Sequence, residues 1–388
     1  MQRRGFLSLV GSAVLGGCVG GRTTTPPPDP IAEFTATAPW PMAGFDASGT
    51  GRNPTTEPLQ NQAEAWNRDL SPHVVGPVSV SVVTDETSVF TGAHSRVTAF
   101  AARDGDHRWS YDFTHRTVAG LAVADDALVA TATGPAGPAL AKFDTESGEV
   151  LWSRLLNAAA RGPPVVTENR IFVLTAAPDG GIRSFNHDGE LLWGKSVVAR
   201  NEGPRPTVVG DSVFVNDGGE LLALEAKTGE IRWRRRLESP LTQPPVATDS
   251  RVYATTASGL SAFDVDSNVV WEHTLGETVE LTCPCVAGET VAVADERGRV
   301  TGLHADDGDL SWRSLLSGSV TSPLIAADET VTLATESGLL TAIVDGSTRW
   351  TRELPLRERF DAPLRVTLVP AHDRLYVALN DGWLYALG

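Results

Sequence analysis

The sequence predicts an all-β chain closed into an eight-bladed β-propeller of four-stranded antiparallel blades, and three observations carry that reading. Tryptophan recurs at Trp66, Trp109, Trp152, Trp193, Trp233, Trp271, Trp312 and Trp350, with gaps of 43, 43, 41, 40, 38, 41 and 38 residues. Each interval holds the same order of short β-branched strands and turns. The two ends of the repeat region hold complementary fragments of one further unit. A fixed period near 40 residues marks one supersecondary unit copied along the chain.

Each copy opens on a proline followed by a second residue: Pro77-Val78, Pro164-Val165, Pro206-Thr207, Pro245-Val246, Pro284-Cys285, Pro323-Leu324 and Pro363-Leu364. Gly120-Leu121 stands there in the second copy. A strand such as Ser88-Val89-Phe90-Thr91 or Arg251-Val252-Tyr253-Ala254 follows. A third strand then runs through a Gly- and Asp-bearing turn into a fourth that carries the Trp, as in Leu222 to Trp233. Alternating Val, Ile, Phe and Tyr bounded by Gly, Asp and Ser is strand-and-turn chemistry. No stretch after the N-terminal segment keeps a helical period. Four short strands per repeat suit a propeller blade.

Closure reads from the ends. The last copy stops at Gly388 after three strands, whereas Ala63-Glu64-Ala65-Trp66-Asn67-Arg68 is a fourth strand with no three before it. Joining them makes the eighth blade; seven would leave a fragment with an open sheet edge.

The repeat, Ala or Gly, an acidic residue, Thr-Gly or Asp-Gly, then Trp, resembles that of the pyrroloquinoline-quinone-binding-like propellers. It is best at Ala223, Glu225, Thr228, Gly229 and Trp233, and weakens at Trp271, where Ser267 replaces Gly, and at Trp350. The resemblance implies that each indole stacks on a turn of the neighbouring blade and locks the ring, a role suited to a buried Trp whose N–H finds a partner. The lipid-anchored, eight-bladed plan is similar to the envelope-assembly lipoproteins of that family.

The N-terminus is an address. Arg3-Arg4 before Gly5-Phe6-Leu7 looks like a twin-arginine export signal, which carries folded cargo. Leu15-Gly16-Gly17-Cys18 looks like a lipobox, with Cys18 acylated as the mature first residue. The apolar run is too short to span a bilayer. Residues 1–18 thus read as signal, 19–38 as a Thr/Pro tether standing extended off the membrane, and 39–388 as propeller. One acyl chain binds marginally, so a diacylated Cys18 is expected. The resulting location is the extracytoplasmic face of the cell membrane.

Formal net charge is −16, from 48 acidic and 32 basic residues, and only Lys142, Lys195 and Lys227 are lysines. This Arg-over-Lys acidity resembles proteins of extreme halophiles. It also repels phosphate backbones, so no nucleic-acid partner is expected.

Catalytic signals fail on spacing. There is no Gly-x-Ser-x-Gly elbow, phosphate loop or His-Glu-x-x-His. Cys283-Pro284-Cys285 is a candidate strained disulfide or a pair of buried thiols. The family resemblance implies a quinone held in the central funnel between a tryptophan and a disulfide of adjacent cysteines above calcium. This chain has no adjacent cysteine pair and little length for the insertions that build a substrate pocket. Asp264-Val265-Asp266-Ser267-Asn268, Asp104-Gly105-Asp106 and Asp306-Asp307-Gly308-Asp309 read as hairpin turns rather than calcium loops, lacking the EF-hand Gly and Glu. No metal site is expected.

Two candidate binding regions remain. Residues preceding the innermost strands should line one channel mouth: His73, Arg161, Arg205, Gln243, Thr282, Thr321 and Asp361. Arg232-Trp233-Arg234-Arg235-Arg236 puts alternate arginines on an outer strand. The expectation is a monomeric, non-catalytic scaffold, anchored to membrane lipid through Cys18 and bound to an unidentified envelope protein, with no cofactor. The alternatives are a small dehydrogenase using pyrroloquinoline quinone and calcium, and an extracytoplasmic ligand receptor.

Overall fold

Every tryptophan interval folds into one antiparallel sheet, and eight such blades form the ring in a computed structural model. The structure describes residues 22–24, 39–54, 63–70, 79–176, 180–198, 205–275, 278–356 and 363–388. Blade 1 shows the pattern: Val80–Thr84 innermost, then Ser88–Ala93, Arg96–Ala101 and the outer His107–Asp112. The second strand of this blade is buried along its whole length because neighbouring blades cover both of its faces. Outer strands such as Val150–Leu155 are mostly exposed.

The last blade is built from both ends of the chain, as expected. Val366–Ala371, Arg374–Leu379 and Trp383–Leu387 pair in turn, and Glu64–Asp69 adds antiparallel to Trp383–Leu387. Trp66 is buried against Tyr376 of the same blade, with ring centroids 5.7 Å apart.

The indole latch is visible seam by seam. In blades 1 to 7 the register between third and outer strands shifts by one residue beside the Trp partner, for example between Ala99 and Phe100 or Ala223 and Leu224. A bulge there raises local twist and re-aims the side chain. Trp Nε1 then donates to a carbonyl in the next blade's turn: Trp66 to Ala102 (3.2 Å), Trp109 to Thr145 (2.8 Å), Trp152 to His187 (2.9 Å), Trp193 to Ala226 (3.0 Å), Trp233 to Val265 (2.9 Å) and Trp271 to Ala305 (2.9 Å). The turn glycine lies flat on the ring; a Cβ on Gly148 would stand 2.4 Å from the Trp109 indole. Ser267 takes that place over Trp233, accepting the left-handed φ of 74° that glycine otherwise supplies.

Sequence reasoning missed a second latch. Two residues past the Trp, Arg68 donates to the carbonyls of Gly105 (2.6 Å) and Asp104 (3.0 Å), and Arg154 to those of Gly189 (3.2 Å) and Asp188 (3.0 Å). Arg235 reaches Ser267 O at 2.8 Å.

Blade 7 lacks indole latches on both sides. Its own hairpin is a two-residue turn at Asp345 and Gly346, both with positive φ, too short to present a carbonyl to Trp312, which packs on Gly302 instead. Trp350 packs against the core of blade 8, and its buried Nε1 has no partner.

Within the expected tether, Arg22–Thr24 adds antiparallel to the outer strand of blade 1, an edge that carries unpaired peptide groups. The outer arginines of blade 4 hold the exposed alternate positions expected of them, 232, 234 and 236, and some are also engaged internally. Arg232 donates to Ser212 Oγ at 2.7 Å and Arg234 to Asp217 at 2.6 Å, while Arg235 covers Phe263.

Trp66→Ala is expected to lower stability by about 3 to 5 kcal/mol through lost burial and the open last seam. Deleting residues 63–70 should lower the melting temperature further. Thermal unfolding followed by circular dichroism measures both; a truncated chain melting with the intact one would exclude two-ended closure.

Candidate functional site

Eight inner strands turn their free edges toward one axis, and residues 39–53 occupy it. The segment meets the blades in ring order. Thr84 N of blade 1 donates to Trp40 O (2.8 Å) and Val123 N of blade 2 to Pro41 O (2.6 Å). Val208 N of blade 4 donates to Ala47 O (2.7 Å), Ala247 N of blade 5 to Ser48 O (3.0 Å) and Val286 N of blade 6 to Thr50 O (2.9 Å). Ala326 N of blade 7 donates to Gly51 O at 2.7 Å, and Arg52–Asn53 pairs parallel with Ile325–Ala327. In blade 8, Pro370 has no N–H to give, so the polarity reverses and Asn53 Nδ2 donates to Pro370 O at 3.1 Å. Unpaired edges that would otherwise face a narrow channel are thereby satisfied.

Glycine is what lets one chain turn this tightly. Gly44, Gly49 and Gly51 have φ of 78°, 69° and 65°. A Cβ on Gly49 would lie 1.5 Å from Arg205 Nη2. Trp40 is buried edge-on to Phe45, with centroids 5.2 Å apart, and anchors the start. Asp46 fixes the bend by accepting from Thr50 N (3.1 Å) and Thr50 Oγ1 (2.9 Å).

Arg205 sits beneath this segment, 7% exposed, with Nη2 donating to Gly49 O at 2.9 Å and Nη1 without a partner. Its guanidinium faces Asp46 and Cys283. Burial raises the Asp46 carboxyl above the ordinary value, against the opposing pull of the Thr50 hydrogen bonds and Arg205. Burial likewise raises both the Cys283 and Cys285 thiols, which keeps them protonated.

Of the seven residues expected at the mouth, Gln243, Thr282 and Arg205 are engaged within the fold. Gln243 Nε2 donates to Leu281 O of the next blade at 2.8 Å, and Thr282 Oγ1 accepts from Ala294 N at 3.0 Å. Thr321 Oγ1 is buried without a partner, and Arg161 is exposed. Arg205 points inward rather than to solvent. His73 and Asp361 lie outside the described residues.

Of the two states expected for the Cys283–Cys285 pair, a disulfide or buried thiols, the structure has free thiols. They serve different seams. Cys285 packs in the core between blades 6 and 7, under Gly51, whereas Cys283 packs against the core between blades 5 and 6, its Sγ 3.8 Å from Pro244 O. Cys285 stands where other blades carry Val, Leu or Thr, and a Cβ on Gly51 would approach its Cβ to 3.1 Å. Packing against the axis segment therefore accounts for it.

The Asp-rich turns behave as turns. Asp264 accepts from the backbone of Asp266 (3.0 Å) and Asn268 (2.8 Å), and the Asn268 side-chain bond lowers its pKa. Among the described residues no cluster of three or more His, Cys, Asp or Glu could hold a metal ion. The residues present do not fit the quinone cradle that the repeat implied. Among the described residues no cysteine disulfide floors it, and the axis carries residues 39–53 and a buried guanidinium.

Fold and axis together define a quinoprotein-like eight-bladed propeller whose centre is filled by its own chain. The family model that describes the outer membrane protein assembly factor BamB matches residues 93–198, 178–279 and 256–388, and the chain belongs to that family. The BamB of Moranella endobia (strain PCIT) is 25% identical over 268 residues, covering 63% of this chain and 66% of that protein. The chain thus spans just under two thirds of that relative's length. The crystal structure of BamB from Moraxella catarrhalis superposes with a TM-score of 0.65 at 18% identity, covering 84% of this chain and 97% of that one. The quinohemoprotein alcohol dehydrogenase from Comamonas testosteroni gives 0.68 at 12% identity, covering 90% and 80%, and shows the shared fold alone.

Gly49→Ala is expected to destabilise by about 1 to 3 kcal/mol, from overpacking on Arg205 and the left-handed backbone. Arg205→Ala in the same chain should recover the steric part, giving a positive coupling in a urea double-mutant cycle. Because its folded pKa is raised, Asp46 contributes most below the ordinary carboxylate value near 3.9 and loses that contribution as pH rises through the folded value. Asp46→Asn should flatten urea midpoints measured stepwise above about pH 4.

Proposed function

We propose that the protein is a lipid-anchored scaffold on the extracytoplasmic face of the membrane, holding partners in a cell-envelope complex and doing no chemistry of its own. The observation that carries the reading is the filled axis. The space that a propeller offers a cofactor or a peptide is given to residues 39–53 and Arg205. What remains for partners is the outside of the ring, where outer strands carry exposed Leu151, Leu155, Leu191 and Leu315. The relatives are named for outer-membrane protein assembly, and a complex that assembles envelope proteins is the corresponding role here.

Anchoring follows from the twin-arginine segment with Arg3 and Arg4 and the acylated Cys18. The protein works as a monomeric propeller in high salt, which the acidic, lysine-poor composition suits. Quinone-dependent oxidation is the reading it displaces.

The test is fractionation and cross-linking in the native host. Cys18→Ser should move the folded protein from membrane to soluble fractions, and wild type should co-enrich a fixed set of envelope proteins at high salt. Purified protein titrated with pyrroloquinoline quinone and calcium should show no dye reduction. Stoichiometric quinone uptake with turnover would overturn the scaffold reading.

A further inference from the structure

We propose that the rim of blades 1 and 2 is the face of the ring that meets the membrane, held there by Arg22–Thr24 clamped on the edge of blade 1. The inference rests on the acylated Cys18 of the scaffold reading and adds the orientation that an anchor alone does not give. A ring at the end of a wholly extended tether would present every side to the bilayer in turn.

The pairing shortens that tether. Arg22 lies opposite Tyr111, Thr23 opposite Ser110 and Thr24 opposite Trp109, on the outer strand His107–Asp112. The two strands are antiparallel, so the chain leads back from Arg22 toward Cys18 at the Asp112 end, where blade 1 hands over to blade 2. Only Val19, Gly20 and Gly21 intervene. From Cys18 to Arg22 such a stretch spans at most about 14 Å, whatever path it takes. An acylated Cys18 therefore keeps this one corner of the ring close to the lipid headgroups.

The surface at that corner suits a layer of anionic headgroups. The hairpin between second and third strands and the link into the next blade both lie at this end of each sheet. In blades 1 to 3 it carries Arg96, paired with Asp112 at 2.7 Å, and the exposed Arg161. It also carries Arg116, which donates to the carbonyls of Gly137 (2.6 Å) and Ala136 (2.8 Å). Leu155, 72% exposed, ends the outer strand of blade 2 there. Across the same rim, blades 5 to 7 present the exposed carboxylates Glu280, Glu296 and Glu336, with Arg297 among them. An anionic surface is attracted by the first side and repelled by the second. Blades 5 to 7 are thereby turned away from the bilayer, toward protein partners.

The full acylated chain is labelled with bimane at Thr114→Cys or at Glu296→Cys, with wild type as the labelling background. Each is reinserted into vesicles containing a nitroxide-headgroup lipid, with and without phosphatidylglycerol, in about 0.1 M salt, where charge effects reach about 10 Å. The label at 114 should be quenched several-fold more than that at 296, and more again with phosphatidylglycerol. Arg96→Gln with Arg116→Gln should abolish that last gain. Thr23→Pro with Thr24→Pro should abolish the difference between the labels while the protein stays on the vesicles. Two successive prolines remove at least one ladder N–H, since alternate residues face the partner strand. The clamp adds to a blade that is already four-stranded, so circular dichroism should not change. Equal quenching at both labels, a difference that survives the proline pair, or quenching at 114 that ignores phosphatidylglycerol overturns this surface and leaves the anchored scaffold standing. A wild-type chain without an acyl group on Cys18 overturns the anchoring reading and this surface with it.

Discussion

Sheets arranged edge-on around an axis leave their innermost peptide groups facing a space too narrow for bulk water. That constraint governs this ring more than any pairwise contact. The chain meets it by laying residues 39–53 against seven of the eight inner edges, mostly as carbonyl acceptors for inner-strand N–H groups. The glycines, the buried Arg205 and the small Cys285 all follow from running one backbone through that centre. A side chain at Gly49 or Gly51 would strike the scaffold, and a bulkier residue at 285 would strike Gly51.

Closure is also enforced from outside, by indoles that reach across six of the eight seams. The two systems are complementary. Where the outer latches fail, on either side of blade 7, the axis segment makes its most extensive pairing, with Arg52–Asn53 running beside Ile325–Ala327 and Asn53 bonded on to blade 8. Blade 7 is thus held from within.

The periodicity made blade number, strand order and the two-ended last blade legible, since a repeat writes its signal eight times. The hairpin reading of Asp264 was legible too, because Asp at a turn bonds its own backbone. The axis segment was not, because it occurs once and has no period. Its only mark is the run Gly44 to Gly51 between Trp40 and the first strand, and a single glycine-rich stretch reads as a linker. Arg205 was placed at a solvated mouth for the same reason: without the segment above it, nothing in the sequence says that its guanidinium turns inward. The Arg latch at the second residue past Trp was hidden because only some copies carry it.

The order of contacts has a consequence for biosynthesis. Residues 39–53 leave the ribosome before any of the blades, yet their hydrogen-bonding partners span from Thr84 to Pro370. They cannot settle until nearly the whole polypeptide is available. Vectorial synthesis therefore yields individual blades early but defers final consolidation to a single late event. A chain built this way matures all at once after release, and any quality-control step has one structural transition to monitor.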